Sequence, residues 1–239
     1  VSEPVDFKLG KLAATKPFGV GTMATYSVGK LPAPPARVHY GHGVDLPIDG
    51  NDQYGDCVMA GTAHMIALWN HEVAEHLSVP TGQEVVEEYF KLTDGADSGL
   101  NENDVLHTWA KQGLFGQKIA AYVPVNTNNV LDLHAAVAFY GCSMLGIAVP
   151  ESAQEQFQKN EPWTVVAGSP ILGGHCIVAC GYDEQYVYCA TWGGIAPVTY
   201  PFLAKFMDEA WAAIPQAYVE AKKGPMLDLA TLQKDLGLL

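Results

Sequence analysis

Two short stretches of the chain hold residue types that can do chemistry together. The first, Asn51-Asp52-Gln53-Tyr54-Gly55-Asp56-Cys57, leads straight into a helical pattern. The second, Gly173-Gly174-His175-Cys176-Ile177-Val178-Ala179-Cys180-Gly181-Tyr182, reads as a strand. A cysteine at a helix start and a histidine at a strand start could serve as a thiol nucleophile and its base. A free thiol has a pKa of about 8.5 and is mostly protonated at neutral pH. The positive end of a helix and a nearby imidazolium both favour the thiolate. Each residue also has a plain structural reading, Cys57 as a buried inert thiol and His175 as a satisfied core histidine.

Other candidates carry less. In His71-Glu72-Val73-Ala74-Glu75-His76 the histidines are five apart, roughly 140° around a helix, and do not share a metal-facing side. His39-Tyr40-Gly41-His42-Gly43-Val44-Asp45 offers two histidines and a carboxylate, but reads as a surface loop. Gly19-Val20-Gly21-Thr22-Met23-Ala24 mimics a dinucleotide fingerprint without the strand before it and the helix after it. No metal or organic cofactor is expected.

The elements that must position Cys57 and His175 follow from periodicity. Residues 1–40 are rich in Gly, Pro, Ala and Lys and read as an extended arm. Within it, Gly10-Lys11-Leu12-Ala13 and Gly29-Lys30-Leu31-Pro32 are similar but too short for a repeat. Residues 41–215 form the expected main domain, and 216–239 a tail with a short helix. Helical spacing runs from Cys57 to Leu77, from Glu84 to Leu92, from Asn101 to Lys111 and from Asn128 to Tyr140. Asn101 or Asn103 could cap the third of these, and Gly141 stops the fourth. Strands are expected at 119–123, 143–148, 174–182, 185–191 and 196–200, with a helix or loop at 151–160. Phe202 to Ile214 reads as an amphipathic helix. Helices first and strands later give an α+β fold, with the cysteine on a helical half and the histidine on a sheet half.

Composition narrows the function. Of 239 residues, 49% are hydrophobic and 16% charged, so the chain can bury a sizeable core. A net charge of −13 with no basic cluster argues against a nucleic-acid partner. No apolar run reaches the ~18 residues of a membrane span. Val1-Ser2-Glu3-Pro4-Val5-Asp6 lacks the basic start and apolar stretch of a secretion signal, so a cytoplasmic or virion location is expected. Five cysteines without framework spacing suggest a reducing interior.

On these residues the chain resembles the papain-like cysteine peptidase superfamily over roughly 40–212. The Asp52-to-Cys57 stretch resembles that family's Gln…Cys segment ahead of its central helix. Gly173-Gly174-His175 through Asp183 is similar to its histidine strand and hairpin turn. Tyr188-Cys189-Ala190-Thr191-Trp192-Gly193-Gly194 resembles the strand that ends in Asn-Ser-Trp-Gly. The extended Cys-Gly-Ser-Cys signature is absent. The resemblance implies an α+β papain-like fold, a nucleophile helix led by Cys57 packed on an antiparallel sheet half, and His175 as the base. It puts Ala190 where the family has the Asn that orients the histidine. Thr191 is expected on the opposite strand face and Asp183 at a turn, so a Cys57–His175 dyad within about 4 Å is expected, without a carboxylate or amide third member. The family's oxyanion Gln aligns with Asn51, while the available glutamine is Gln53. Gln53 is slightly preferred, acting with the Cys57 backbone N–H.

Two functional readings follow. One is a thiol hydrolase that cleaves a peptide or isopeptide bond of a peptide or protein substrate. The other is a catalytically weak protein of the same fold, working in an assembly such as a phage particle. Ala190 and the arm favour the second, with the arm reaching onto a neighbouring subunit rather than folding back over the Cys57 cleft as an inhibitory segment.

Overall fold

The computed structural model describes residues 7–17, 19–73, 77–222 and 225–239. The readings of Val1–Asp6 and of His76 fall outside these residues. In chain order the elements are α1 (Met23–Tyr26), β1 (Val38–His39), α2 (Cys57–Val73), α3 (Gly82–Leu92), α4 (Glu102–Lys111), β2 (Ile119–Pro124), α5 (Val130–Tyr140), β3 (Ser143–Pro150) and α6 (Glu151–Gln158). Then come β4 (Ile171–Tyr182), β5 (Tyr186–Thr191), β6 (Gly194–Thr199), α7 (Tyr200–Phe206), β7 (Met207–Pro215), α8 (Gln216–Glu220) and α9 (Leu229–Asp235).

The strands form one antiparallel sheet in the order β2-β7-β3-β4-β5-β6, with β1 added beside β4. Helix α2 packs against β4 and is buried along its described length from Cys57 to Trp69. A helix apolar on every side belongs inside a protein, and α2 lies between the sheet and α3 and α4. Gly61 sets its approach: a Cβ there would stand 3.0 Å from Cys176 Sγ and 3.4 Å from Val178 Cγ2, both on β4. No helix among the described residues is long and apolar enough to cross a membrane.

The short-range signals mostly hold. Thr81 and Glu84 form a capping box that starts α3, and Asn101 rather than Asn103 caps α4. Asn129 caps α5, and Gly141 ends it at φ +79°. Residues 151–160 contain α6. One element is corrected: the helix expected at 202–214 ends at Phe206, and Met207–Pro215 is strand β7. This strand lies between β2 and β3, and Glu209 to Pro215 are all buried. A strand buried on both faces loses its period-2 alternation, and its apolar run imitates a helix.

The described residues of the arm lie against their own chain. Residues 7–13 cross the end of the sheet beside Cys57, as detailed below. Farther on, Val28 N–H donates to Met226 O at 2.8 Å and Asp228 N–H to Tyr26 O at 2.8 Å, so arm and tail pair with each other. Tyr26 Oη donates to Asp235 Oδ2 at 2.9 Å, and Tyr182 Oη to Pro35 O at 2.9 Å. Apart from the short α1 and β1 this stretch is irregular, and several of its backbone groups find partners along the core.

Candidate active site

Cys57 is the first residue of α2 and is 1% exposed. Burial pushes its thiol up to about 12; backbone N–H groups of Cys176 and Gly10 pull the other way, and the charges of Asp56 and Glu102 add to the rise. Gly10 belongs to the arm, so an arm backbone group lies against the candidate nucleophile. Asp56, immediately before it, is fully buried and pushed to about 7, mainly by burial, with the Asn51 amide opposing.

Asn51 and Gln53 part ways. Asn51 is 2% exposed, and its Nδ2 donates to Tyr54 O at 3.1 Å. Gln53 is exposed at the outer edge of the same turn. The sequence preference for Gln53 over Asn51 therefore gains nothing from their placement.

His175 lies on β4, 1% exposed, with Nε2 2.8 Å from Thr191 Oγ1. Its Nδ1 is buried without a hydrogen-bond partner, and no hydrogen bond joins it to Cys57. Burial pushes the imidazole down to about 3, with His64 adding to the fall, so the ring is neutral. As it stands the pair is thiol and neutral imidazole, not an ion pair.

Thr191 corrects the strand-face argument. Val178 pairs with Ala190, so Ala190 shares the α2 side of the sheet with Cys176 and Val178. The next residue, Thr191, turns to the face of Ile177 and His175. Aligning on Trp-Gly selected the wrong neighbour of the tryptophan. The partner of His175 Nε2 is thus a hydroxyl. Asp183 accepts from Gln185 N–H and Tyr188 Oη at 2.7 Å each and holds the β4–β5 turn.

Trp192 covers this pair. Its ring stacks on His175 at 4.4 Å between centroids and on Phe7 of the arm at 4.7 Å. It sits at φ +43°, an uncommon backbone state for a bulky residue, held by packing against Phe157 and Trp163.

The arm closes the groove between these parts. Lys8 N–H donates to Asn51 O at 3.0 Å, Lys11 N–H to Gly174 O at 3.1 Å and Leu12 N–H to Leu100 O at 2.9 Å, while Leu100 N–H donates to Gly10 O at 2.9 Å. It touches the turn before Cys57, the strand before His175 and the loop before α4. Gly10 packs so tightly on the Gly55 backbone that no side chain fits there. Lys11 turns inward: its Nζ lies 2.9 Å from Glu209 Oε1 and 3.0 Å from Asp208 Oδ2. Burial works against that ammonium, but Glu209, Asp208 and Glu102 more than offset it and raise its pKa.

Thr191, Lys11 and the acidic residues around Lys11 are the parts that sequence reasoning missed. Only pairing register reveals Thr191, and only tertiary folding brings Lys11 to Glu209.

Three solved structures share this architecture. Xylellain, a cysteine protease from Xylella fastidiosa, superposes with a TM-score of 0.70 at 14% identity over 90% of this chain and 98% of its own. The fold is papain-like. Digestive procathepsin L 3 of Tenebrio molitor larval midgut gives a TM-score of 0.60 at 11% identity, covering 88% of this chain and 77% of its own. The Carica candamarcensis cysteine protease CMS1MS2, solved with E-64, gives 0.54 at 14% identity, covering 76% and 99%. No family model matches the sequence, and a search of curated proteins returns no match. The papain-like architecture thus carries through a sequence that has drifted far from these three. Among the described residues, no group of three or more His, Cys, Asp or Glu is placed to hold a metal ion.

Proposed function

We propose that the protein is a thiol hydrolase acting on peptide or isopeptide bonds, held at rest by its own arm. Cys57 Sγ attacks the substrate carbonyl, and its proton passes to His175. The imidazole returns that proton to the leaving amine, and water then releases the acyl group from the thiol. Thr191 holds Nε2, which leaves Nδ1 as the ring atom that exchanges the proton. The backbone N–H of Cys57, at the first turn of α2, serves the oxyanion. Asn51, engaged with Tyr54 O, supports the turn that presents that N–H.

The observation that carries this reading is the state of His175: one ring nitrogen held by Thr191 beneath Trp192, the other buried without a partner. Most buried side-chain polar atoms in proteins have a partner, so an unpartnered Nδ1 calls for a reason. The assembly reading rested on the arm and on Ala190. The arm is satisfied by its own chain, and Thr191 supplies a partner for the histidine, so no observation favours that reading here.

Iodoacetamide labelling at neutral pH tests the proposal. In the full chain Cys57 should label slowly, as its burial under Gly10 requires. After removal of residues 1–17 it should label faster than Cys142, Cys176, Cys180 and Cys189, all buried thiols. Equal, slow labelling of all five after truncation would rule out an activated nucleophile.

A further inference from the structure

The Lys11 pocket has a composition that closing the arm does not require. Glu102 and Glu209 are buried, at 0% and 1% exposure, and Asp208 stands at the rim with a 44% exposed side chain. One ammonium thus faces three carboxylates. Both Glu102 oxygens are buried, with the Cys176 thiol beside them, and lie within electrostatic reach of Lys11 and Glu209. Glu209 has further support from Trp211 Nε1–H at 3.0 Å. Space for the lysine stem comes from Gly146 on β3, where any side chain would meet Lys11 Cε. The next arm residue back, Gly10, presents its N–H to Cys57. The pocket therefore lies one residue along the chain from the backbone unit at the candidate nucleophile.

From this we infer that the Glu102–Glu209–Asp208 pocket is a specificity site for a lysine or arginine side chain of an incoming peptide, and that Lys11 occupies it as an intramolecular stand-in. Burial raises the pKa of both glutamates, and Lys11 is the cation that draws them back toward the charged form. An apolar side chain entering the pocket supplies no such partner. A basic side chain restores the contacts that Lys11 makes with Glu209 and Asp208, so discrimination against apolar peptides is built into the pocket itself. Calling the occupant a substrate side chain rests on the hydrolase reading, whereas the preference for a cation does not.

The test is a binding measurement that needs no chemistry. The full-length chain carrying Lys11→Ala and Cys57→Ala is titrated with a fluorescent peptide of the sequence Phe7 to Ala13. A second peptide has norleucine in place of the lysine, keeping the stem and losing the ammonium. The lysine peptide should bind about tenfold tighter or more. Adding Glu209→Gln should remove most of that difference. Asp208→Asn, at the half-exposed rim, should reduce it even if the Glu209 variant folds poorly. Equal binding of the two peptides, no binding of either, or a preference that survives both substitutions would overturn the inference. A confirmed preference in a chain that hydrolyses nothing would sink the hydrolase reading alone.

Discussion

Thr191 shows at the scale of one residue how the site is held and why part of it was hidden. Cys57 and His175 were legible as local motifs, a thiol before an apolar helix and a histidine opening an apolar strand. Thr191 was not, because its face depends on the pairing of Val178 with Ala190, which no local pattern states. Thr191→Val keeps the shape and removes the hydroxyl. We expect kcat to fall by about fivefold with KM little changed, from the loss of roughly 1 kcal/mol of orienting hydrogen bond. Steady-state kinetics on the arm-deleted chain measures this, and an unchanged kcat would remove Thr191 from the site. Asp56 makes a second prediction. Its folded value of about 7 lies above the ordinary 3.8, because burial disfavours the carboxylate. The folded chain therefore holds a proton there that the unfolded chain has already released. The stabilising contribution is full below about 3.8 and is lost as pH rises through about 7. Urea midpoints should fall between pH 5 and pH 8, and Asp56→Asn should flatten that slope.

At the scale of elements, contact between α2 and β4 places the helix that Cys57 leads beside the strand that carries His175. Gly61 permits the close approach, and its only sequence signal was a glycine inside a helical run. Gly61→Val forces two methyl groups toward Cys176 and Val178. It should cost about 1–3 kcal/mol in urea unfolding and should lower hydrolysis by moving β4. A variant as stable and as active as the parent would show that the approach is loose. The cap at Asn101 was legible from sequence, as one of two choices with Asn103, because a cap is a local hydrogen bond; Thr81 and Asn129 also accept one from their own first turn. β7 was not legible, because burial on both faces erased the alternation that marks a strand.

Taken whole, the molecule is a papain-like core with arm residues 8–12 bound along its own groove. The sequence marked residues 1–40 as an extended arm, since Pro and Gly disfavour helix and strand over that stretch. Its path was not legible. The partners of Lys11 lie 91, 197 and 198 positions away, at Glu102, Asp208 and Glu209, and only the finished fold assembles them. Gly10 of the same arm lies against Cys57, whose burial drives its pKa up. The most direct test is hydrolysis of a mixed fluorogenic peptide set by the chain lacking residues 1–17, beside the full chain and the truncated Cys57→Ala variant. The account predicts turnover by the truncated chain, at least about tenfold less by the full chain, and none by the Cys57→Ala variant. Turnover that persists without Cys57, or a folded truncated chain that cleaves no peptide in the set, would contradict it.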